Sequence, residues 1–469
     1  PFSAKTFLAA GEAVPVAYVS AFGAAALASV SALAASYEML YMARIIGGLA
    51  FASLVLAPMY IAEISPAKYR GKMISINQFN IVVGFSAAYF ANYFLLKLSG
   101  GSSELASTLG ITENVWRWML GLEIVPAIFY FGLLFLIPES PRWLVCNGYK
   151  EKAKPVLEKL FPEQNAQTLM DEMEQQQGEK LPPIKQRLSL LFSKRMRLIL
   201  AVGLVVGISQ QITGVNAVYF YAPSIFEQSG VGQDAAFSQA IWVGIINVVF
   251  TIVAMLLIDK LGRKPLMLIG LSGVVISMSI AAYGFHQATY QLTNESISKL
   301  SSQEIQQKVT PLINQTYDSD IAFKKALIKQ LGEQQARDHQ AELIQAAANM
   351  NAILIMLGIL GFVASFAVSL GPVMWVLLAE IFPNNLRGVG IAFTGLVNSI
   401  VSFSVQLLFP WELATIGTAA TFIIYGAFAV LGFILVYRLL PETKGKSLEE
   451  LEQVFESQSN TSGQKPQIA

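Results

Sequence analysis

Two residue types on which metal centres and many catalytic sites depend are nearly missing from this chain. Cysteine occurs once, at Cys146, so no intramolecular disulfide can form. Histidine occurs twice, at His286 and His339, both outside the apolar runs. A His- or Cys-based metal centre or a catalytic triad has almost nothing to be built from, and no metal, cofactor or enzymatic activity is expected. Charge is scarce too. Asp, Glu, Lys and Arg make up 13% of the 469 residues, where a soluble domain carries about 25%. So few charges cannot cover the surface of a soluble protein. The net charge of +1 gives no electrostatic case for a nucleic-acid partner. No cleavable signal sequence is visible.

What fills the chain instead is apolar: 54% of it is hydrophobic. A bilayer core demands roughly 20 apolar residues from a spanning helix. Ten runs qualify: Val14–Ala35, Leu40–Ile61, Met73–Leu96, Trp118–Ile137, Leu198–Ala222, Ile241–Ile258, Leu266–Phe285, Ala352–Ile381, Val389–Phe409 and Ala419–Leu440. They lack the alternation of barrel strands, and lipid offers backbone groups no partners, so helices are the reading. The chain is an all-α polytopic membrane protein with lipid around it.

Basic residues follow alternate runs: Lys68, Arg70 and Lys72; the stretch from Arg142 to Arg197; Lys260, Arg263 and Lys264; Arg387; and Arg438, Lys444 and Lys446. By the positive-inside rule these connections and the C-terminus are expected on the cytoplasmic side. The 286–350 connection, on the opposite side, is too long for its lysines to count.

The decapeptide AEISPAKYRG at 62–71 returns as AEIFPNNLRG at 379–388, with Ala, Glu, Ile, Pro, Arg and Gly at identical spacing. Pro138-Glu139-Ser140 is echoed in the same order by Pro441-Glu442-Thr443. Both motifs fall on one side of the membrane, so the halves have the same orientation: a parallel repeat, as some transporter folds use. In the second half three apolar runs precede the run leading into the decapeptide; in the first half only one does. Symmetry therefore predicts two further helices upstream, so that these ten runs belong to a twelve-helix protein whose N-terminal pair is absent here. The expected organisation is an N-terminal bundle over 1–140, a cytoplasmic helical linker over 141–197, a C-terminal bundle over 198–440 carrying an extracytoplasmic insertion at 286–350, and a cytoplasmic tail over 441–469.

Each decapeptide sets a carboxylate, Glu63 or Glu380, at a helix end, and an arginine, Arg70 or Arg387, seven residues on. Carboxylates accept bidentately from guanidinium groups, so the two copies are expected to latch the helix ends together, with Glu139, Arg142, Arg263 and Glu442 as further members. The stretch SQQITGVNAVYFYAP at 209–223 interrupts an apolar run with Gln210, Gln211 and Asn216. Amides both donate and accept, which suits a neutral ligand rich in hydroxyl groups. Tyr219, Phe220 and Tyr221 beside them offer an apolar face or a gate. Asn247, Asn398 and Trp375 add polar or amphipathic groups at membrane depth. Arg44 and Glu123 are ionisable and lie within runs, where charges are paired or functional; each is the simplest partner for the other.

These residues resemble the sugar porters of the major facilitator superfamily. AEISPAKYRGK, PESPRWLV, QQITGVNAVYFYAP, DKLGRKPL, GPVMWVLLAEIFPNNLRG and PETKGKSLEELE are similar to its signatures, in its order, over nearly the whole chain except 286–350 and the extreme ends. The resemblance implies two pseudo-symmetric helical bundles that rock about a central sugar site by alternating access. It implies sugar contacts at Gln210, Gln211, Asn216, Asn247, Trp375 and Asn398, and a charge network of Glu63, Arg70, Glu139, Arg142, Arg263, Glu380 and Arg387. Arg44 and Glu123 resemble partners of the proton-coupling aspartate of bacterial symporters, an aspartate that belongs to the upstream helices. Phe85 stands where the family usually has Gln, and Ser399 where an aromatic often follows Asn398, which leaves the sugar open. The expectation is secondary transport of a monosaccharide across the cytoplasmic membrane, as proton symport and by a monomer. The alternatives are a sugar or inositol-type polyol uniporter and a non-transporting sugar receptor; a short C-terminal tail argues against the last.

Overall fold

The computed structural model describes residues 36–48, 70–101, 104–146, 148–162, 165–176, 183–383 and 386–444, with a few isolated positions before residue 70. Eight helical segments among the described residues are long and apolar enough to cross a membrane. They overlap the last eight of the ten predicted runs. Most of Val14–Ala35 and nearly half of Leu40–Ile61 lie outside the described residues, as do Glu63 and the tail from 445 onward. The chain divides into two compact units, one of residues 1–81 and 90–182, the other of 82–89 and 183–469.

In the first unit, helix α1 (Tyr37–Gly47) carries Arg44, and the long α2 (Arg70–Ser99) contributes its two ends. Helices α3 (Ile111–Gly121) and α4 (Ile124–Leu134) are one span with a joint. Pro126 explains the joint: without an N–H it cannot bond the carbonyl of Leu122, which instead accepts from Val125 at 3.1 Å. Glu123 sits at that joint. Three short helices follow, Pro141–Cys146, Lys150–Leu160 and Ala166–Gln176. They close over Leu144, Val145, Ala153, Leu157 and Met170.

The second unit holds α5 (Arg197–Ile212), α6 (Val215–Gln228), α7 (Gln233–Leu261), α8 (Arg263–His286), α9 (Ala352–Val368), α10 (Leu370–Ile381), α11 (Arg387–Thr415) and α12 (Thr418–Leu439). In lipid the hydrophobic effect cannot drive helices together, so packing rests on close approach of small residues. Helices α8 and α9 illustrate this: a Cβ on Gly273 would fall 2.3 Å from Ser365 Oγ, and one on Gly358 would fall 2.8 Å from the backbone of Ala281.

Two spans are broken. Between α5 and α6 the chain passes through Gly214 at φ +86°, where a side chain would also run into the Tyr425 ring at 2.5 Å. Only glycine meets both demands. Between α9 and α10 the break falls at Ser369 (φ −132°, ψ −91°), just before Gly371 and Pro372. Pro372 has no N–H for the carbonyl of Val368 four residues back.

The α8–α9 connection folds into a lobe with its own core of Tyr290, Leu292, Val309, Phe323, Leu327, Leu343 and Ile344. Local capping builds its helices: Thr293 and Ser296 form a capping box, Ser302 accepts from Ile305 N, and Ser319 accepts from Ala322 N. Phe323, Leu327 and Leu331, one turn apart, bury one face of helix Asp320–Leu331. They pack beside a three-stranded antiparallel sheet, with β1 (Thr289–Gln291) between β2 (Thr316–Tyr317) and β3 (Ala348–Asn349), and Tyr290 opposite both Tyr317 and Ala348. Sequence reading expects amphipathic helix here and does not anticipate the sheet.

Candidate functional site

Four of the candidate amides meet at the two helix breaks. Asn398 Nδ2 donates to Gln210 Oε1 at 2.9 Å and to the carbonyl of Gly207 at 2.8 Å. Gln211 Nε2 donates to Asn398 Oδ1 at 3.2 Å, and Asn216 Nδ2 to Gln211 Oε1 at 2.9 Å. Gln210 Nε2 reaches the other break, donating to the carbonyl of Leu370 at 3.2 Å. One hydrogen-bonded chain thus links α5, α6, α10 and α11. Gln210 and Asn398 are buried, Gln211 and Asn216 half-buried. No charged group takes part among the described residues.

Local structure makes the convergence possible. A Cβ at Gly207 would lie 3.0 Å from Thr394 Cγ2, so glycine lets α5 approach α11 closely enough for Asn398 to bond its backbone. The left-handed turn at Gly214 swings Asn216 back toward Gln211. Sequence reading missed two members. Ser402 accepts from Asn216 Nδ2 at 2.7 Å, and Gln406 Nε2 donates to Ser402 Oγ at 2.9 Å. Their signal was the four-residue spacing from Asn398, which puts all three on one helix face.

The other candidates do not join the chain through any hydrogen bond among the described residues. Asn247 on α7 is buried and has no hydrogen bond to the four amides. Trp375 is half-buried on α10 against the core. Tyr221 packs its ring 5.2 Å from Phe409, while Phe220 is exposed. Phe85 lies 5.5 Å from the Tyr219 ring and 6.1 Å from that of Phe220, and the Tyr89 hydroxyl donates to the Tyr219 carbonyl.

At the far end of α10 the charges assemble. Glu380 Oε1 accepts from Arg263 Nη2 at 2.7 Å and Nε at 3.1 Å, and its Oε2 accepts from the Thr443 hydroxyl at 2.7 Å. Glu442 caps α8, accepting from the backbone N–H of Arg263 and Lys264 at 3.0 Å each. Gly262 at φ +93° leaves room for that carboxylate, which a Cβ would meet at 2.7 Å. The guanidinium on Glu380 is therefore that of Arg263; Arg387 donates to the carbonyl of Phe382 at 3.4 Å. Thr443, a hydroxyl in a motif valued for its carboxylate, went unread.

In the first unit Glu139 is exposed next to Pro138, whose carbonyl accepts from Tyr60 at 2.6 Å. The side chains of Arg70 and Arg142 and the whole of Glu63 lie outside what is described. Glu123 and Arg44 are within Coulombic reach of one another, both exposed, with no hydrogen bond between them.

A family model described as "Sugar (and other) transporter" matches residues 14–302 and 339–455. The chain belongs to the sugar transporter family. Residues 303–338, which the model leaves unmatched, lie within the lobe. The D-xylose-proton symporter of Escherichia coli K12 is 33% identical over 430 residues, covering 90% of this chain and 72% of that protein. The arabinose-proton symporter of Bacillus subtilis is 32% identical over 431 residues, covering 91% and 77%. Among solved structures, the inward-open form of the xylose transporter XylE from E. coli superposes with a TM-score of 0.65 at 27% identity, covering 95% of this chain and 82% of that one. Family and relatives alike are transporters rather than enzymes, and the fold is the all-α major facilitator architecture in a cell membrane.

Proposed function

We propose that this family member carries out secondary active transport of a monosaccharide by alternating access, as sugar–proton symport, with the amide chain as its sugar site. The single observation that carries the reading is the linkage of Gln210, Gln211, Asn216 and Asn398 at two helix breaks, with no charge among them. A neutral polyhydroxyl ligand can replace amide–amide bonds one for one, each of its oxygens both donating and accepting. A charged ligand would have to shed its hydration with no counter-charge present. A sugar lacking one matched hydroxyl would leave a buried amide unpaired, which costs about 1–3 kcal/mol. That is how such a site discriminates.

Asn247, Trp375, Phe220 and Tyr221 are the proposed remaining wall, the Trp375 indole facing the apolar side of the ring. The Glu380–Arg263–Thr443 assembly, with Glu442 and Arg387, is the proposed gating network of the second unit at its cytoplasmic end, and Glu63, Arg70, Glu139 and Arg142 are the proposed gating residues of the first. Arg44 and Glu123 are the proposed coupling pair. This orientation puts the C-terminus in the cytoplasm and the lobe outside, as the distribution of Lys and Arg requires.

The test is uptake of labelled hexoses, pentoses and polyols by vesicles bearing the protein, with and without an imposed proton gradient. Gradient-stimulated uptake of one sugar is expected. Uptake indifferent to the gradient would mean uniport, and uptake equal to protein-free vesicles for every compound would end the transport reading.

A further inference from the structure

The lobe meets the helices of the second unit through a small set of nearly buried polar groups. Oδ2 of Asp320 accepts from Lys324 Nζ at 3.0 Å, from the Thr418 backbone N–H at 3.4 Å, and lies 3.2 Å from the Thr418 hydroxyl. The Asp320 and Lys324 side chains are each 12% exposed and Thr418 is 2% exposed. Lys324 also donates to the carbonyl of Leu413 at 3.4 Å. Helix α12 has no capping side chain of its own, since its N-cap is Gly417 at φ +87°. A Cβ there would fall 2.9 Å from Asp320 Oδ1. Asp320, 98 residues upstream, therefore provides the acceptor and the negative charge that a helix N-terminus favours.

The same contact reaches α6. The Thr418 hydroxyl lies 2.8 Å from Oε1 of Gln228, the last residue of that half-helix; with a single proton it serves either Asp320 or Gln228 at any moment. Just beyond, the turn into α7 is pressed against the lobe: a Cβ on Gly230 would meet Ala348 Cβ at 3.0 Å, and one on Gly232 would meet the Gln345 amide at 3.1 Å. One end of α6 begins at the left-handed Gly214. Its other end is held by the lobe.

We propose that the lobe is a clasp on the half-helix Val215–Gln228, with Asp320 as the positioning residue that fixes it. Because α6 carries Asn216 and Tyr221, the clasp sets how firmly the ligand is held; this consequence rests on the sugar-site reading above, whereas the clasp itself does not. Asp320→Asn keeps the shape but leaves the nearly buried Lys324 without its counter-charge. Thr418→Val removes the hydroxyl that joins Asp320 to Gln228.

The experiment is hydrogen–deuterium exchange on the whole chain in lipid nanodiscs, paired with transport kinetics. Asp320→Asn is expected to speed exchange over 215–232 at least about fivefold, through local opening, while 263–286 is unchanged. The double variant is expected to be no worse than Asp320→Asn alone, because the two residues act together. KM for the transported sugar is expected to rise more than turnover falls. Unchanged exchange over 215–232, an equal acceleration over 263–286, or additive effects of the two substitutions would overturn the clasp. Should the unaltered protein move no sugar, the functional reading fails, yet the exchange comparison still decides the clasp.

Discussion

The amide chain and the charge network each tie several segments of the second unit together, but with opposite materials. Around Asn398 every partner is neutral: carbonyl and amide groups at 2.8 to 3.2 Å and the Met374 sulfur at 3.6 Å. Around Glu380 a carboxylate holds Arg263 at 2.7 Å and the Thr443 hydroxyl at the same distance. A neutral hydrogen bond contributes only about 0.5–1.5 kcal/mol net, so an incoming hydroxyl can take an amide's place with little loss. Removing one member of a largely buried ion pair leaves an uncompensated charge and costs about 3–5 kcal/mol. The first arrangement suits exchange with a ligand; the second suits fastening.

Four substitutions or conditions break or sharpen that contrast, in falling order of effect. Glu380→Ala should destabilise the folded protein by about 3 kcal/mol, read as a lowered thermal midpoint in detergent, because Arg263 is left with only the exposed Asp259, 3.2 Å away, as counter-charge; Glu380→Gln should lose less. An unchanged midpoint for the alanine variant would mean that the pair fastens nothing. Gln211→Ala should weaken binding of the transported sugar by about 1–3 kcal/mol while shifting the midpoint little; calorimetric titration that finds equal affinity removes α5 from the site. Ser402→Ala should weaken the same binding by about 0.5–1.5 kcal/mol, by freeing Asn216 from one partner.

The smallest effect is in the lobe and depends on pH. Burial pushes the Glu342 carboxyl up, but the backbone N–H and hydroxyl of Ser301 and the ring of His339 outweigh it and hold the carboxyl below its ordinary range. A carboxyl depressed in the folded state contributes stability above its unfolded pKa of about 4.3 and loses it as pH falls through the folded value. Exchange protection around residue 301 should therefore hold at neutral pH and decline below about pH 4. Glu342→Gln should flatten that decline, and a decline persisting in that variant would assign it to another group.

Much of this was legible in the residues. Runs such as Leu266–Phe285 announce spanning helices by length alone, and SQQITGVN announces a polar interruption because three amides cannot sit idle in lipid. The glycine and proline of GPVMW mark the second break. Pairing was not legible. Nothing in AEIFPNNLRG says that Glu380 binds Arg263 of a distant turn rather than its own Arg387, and nothing separates Asn247 from Asn398, although only the latter joins the amide chain. Strands of two or three residues, as in the lobe, carry too little pattern to be seen.

By itself, then, the sequence determined solvent and class: scarce charge and long apolar runs demand lipid, and lipid demands helices, since backbone groups there have no partner but one another. Only the tertiary structure decided which polar groups meet. Hydrogen bonds and ion pairs act over about 3 Å, and such proximity between residues more than a hundred positions apart is set by helix packing around small residues, not by any local run of the chain.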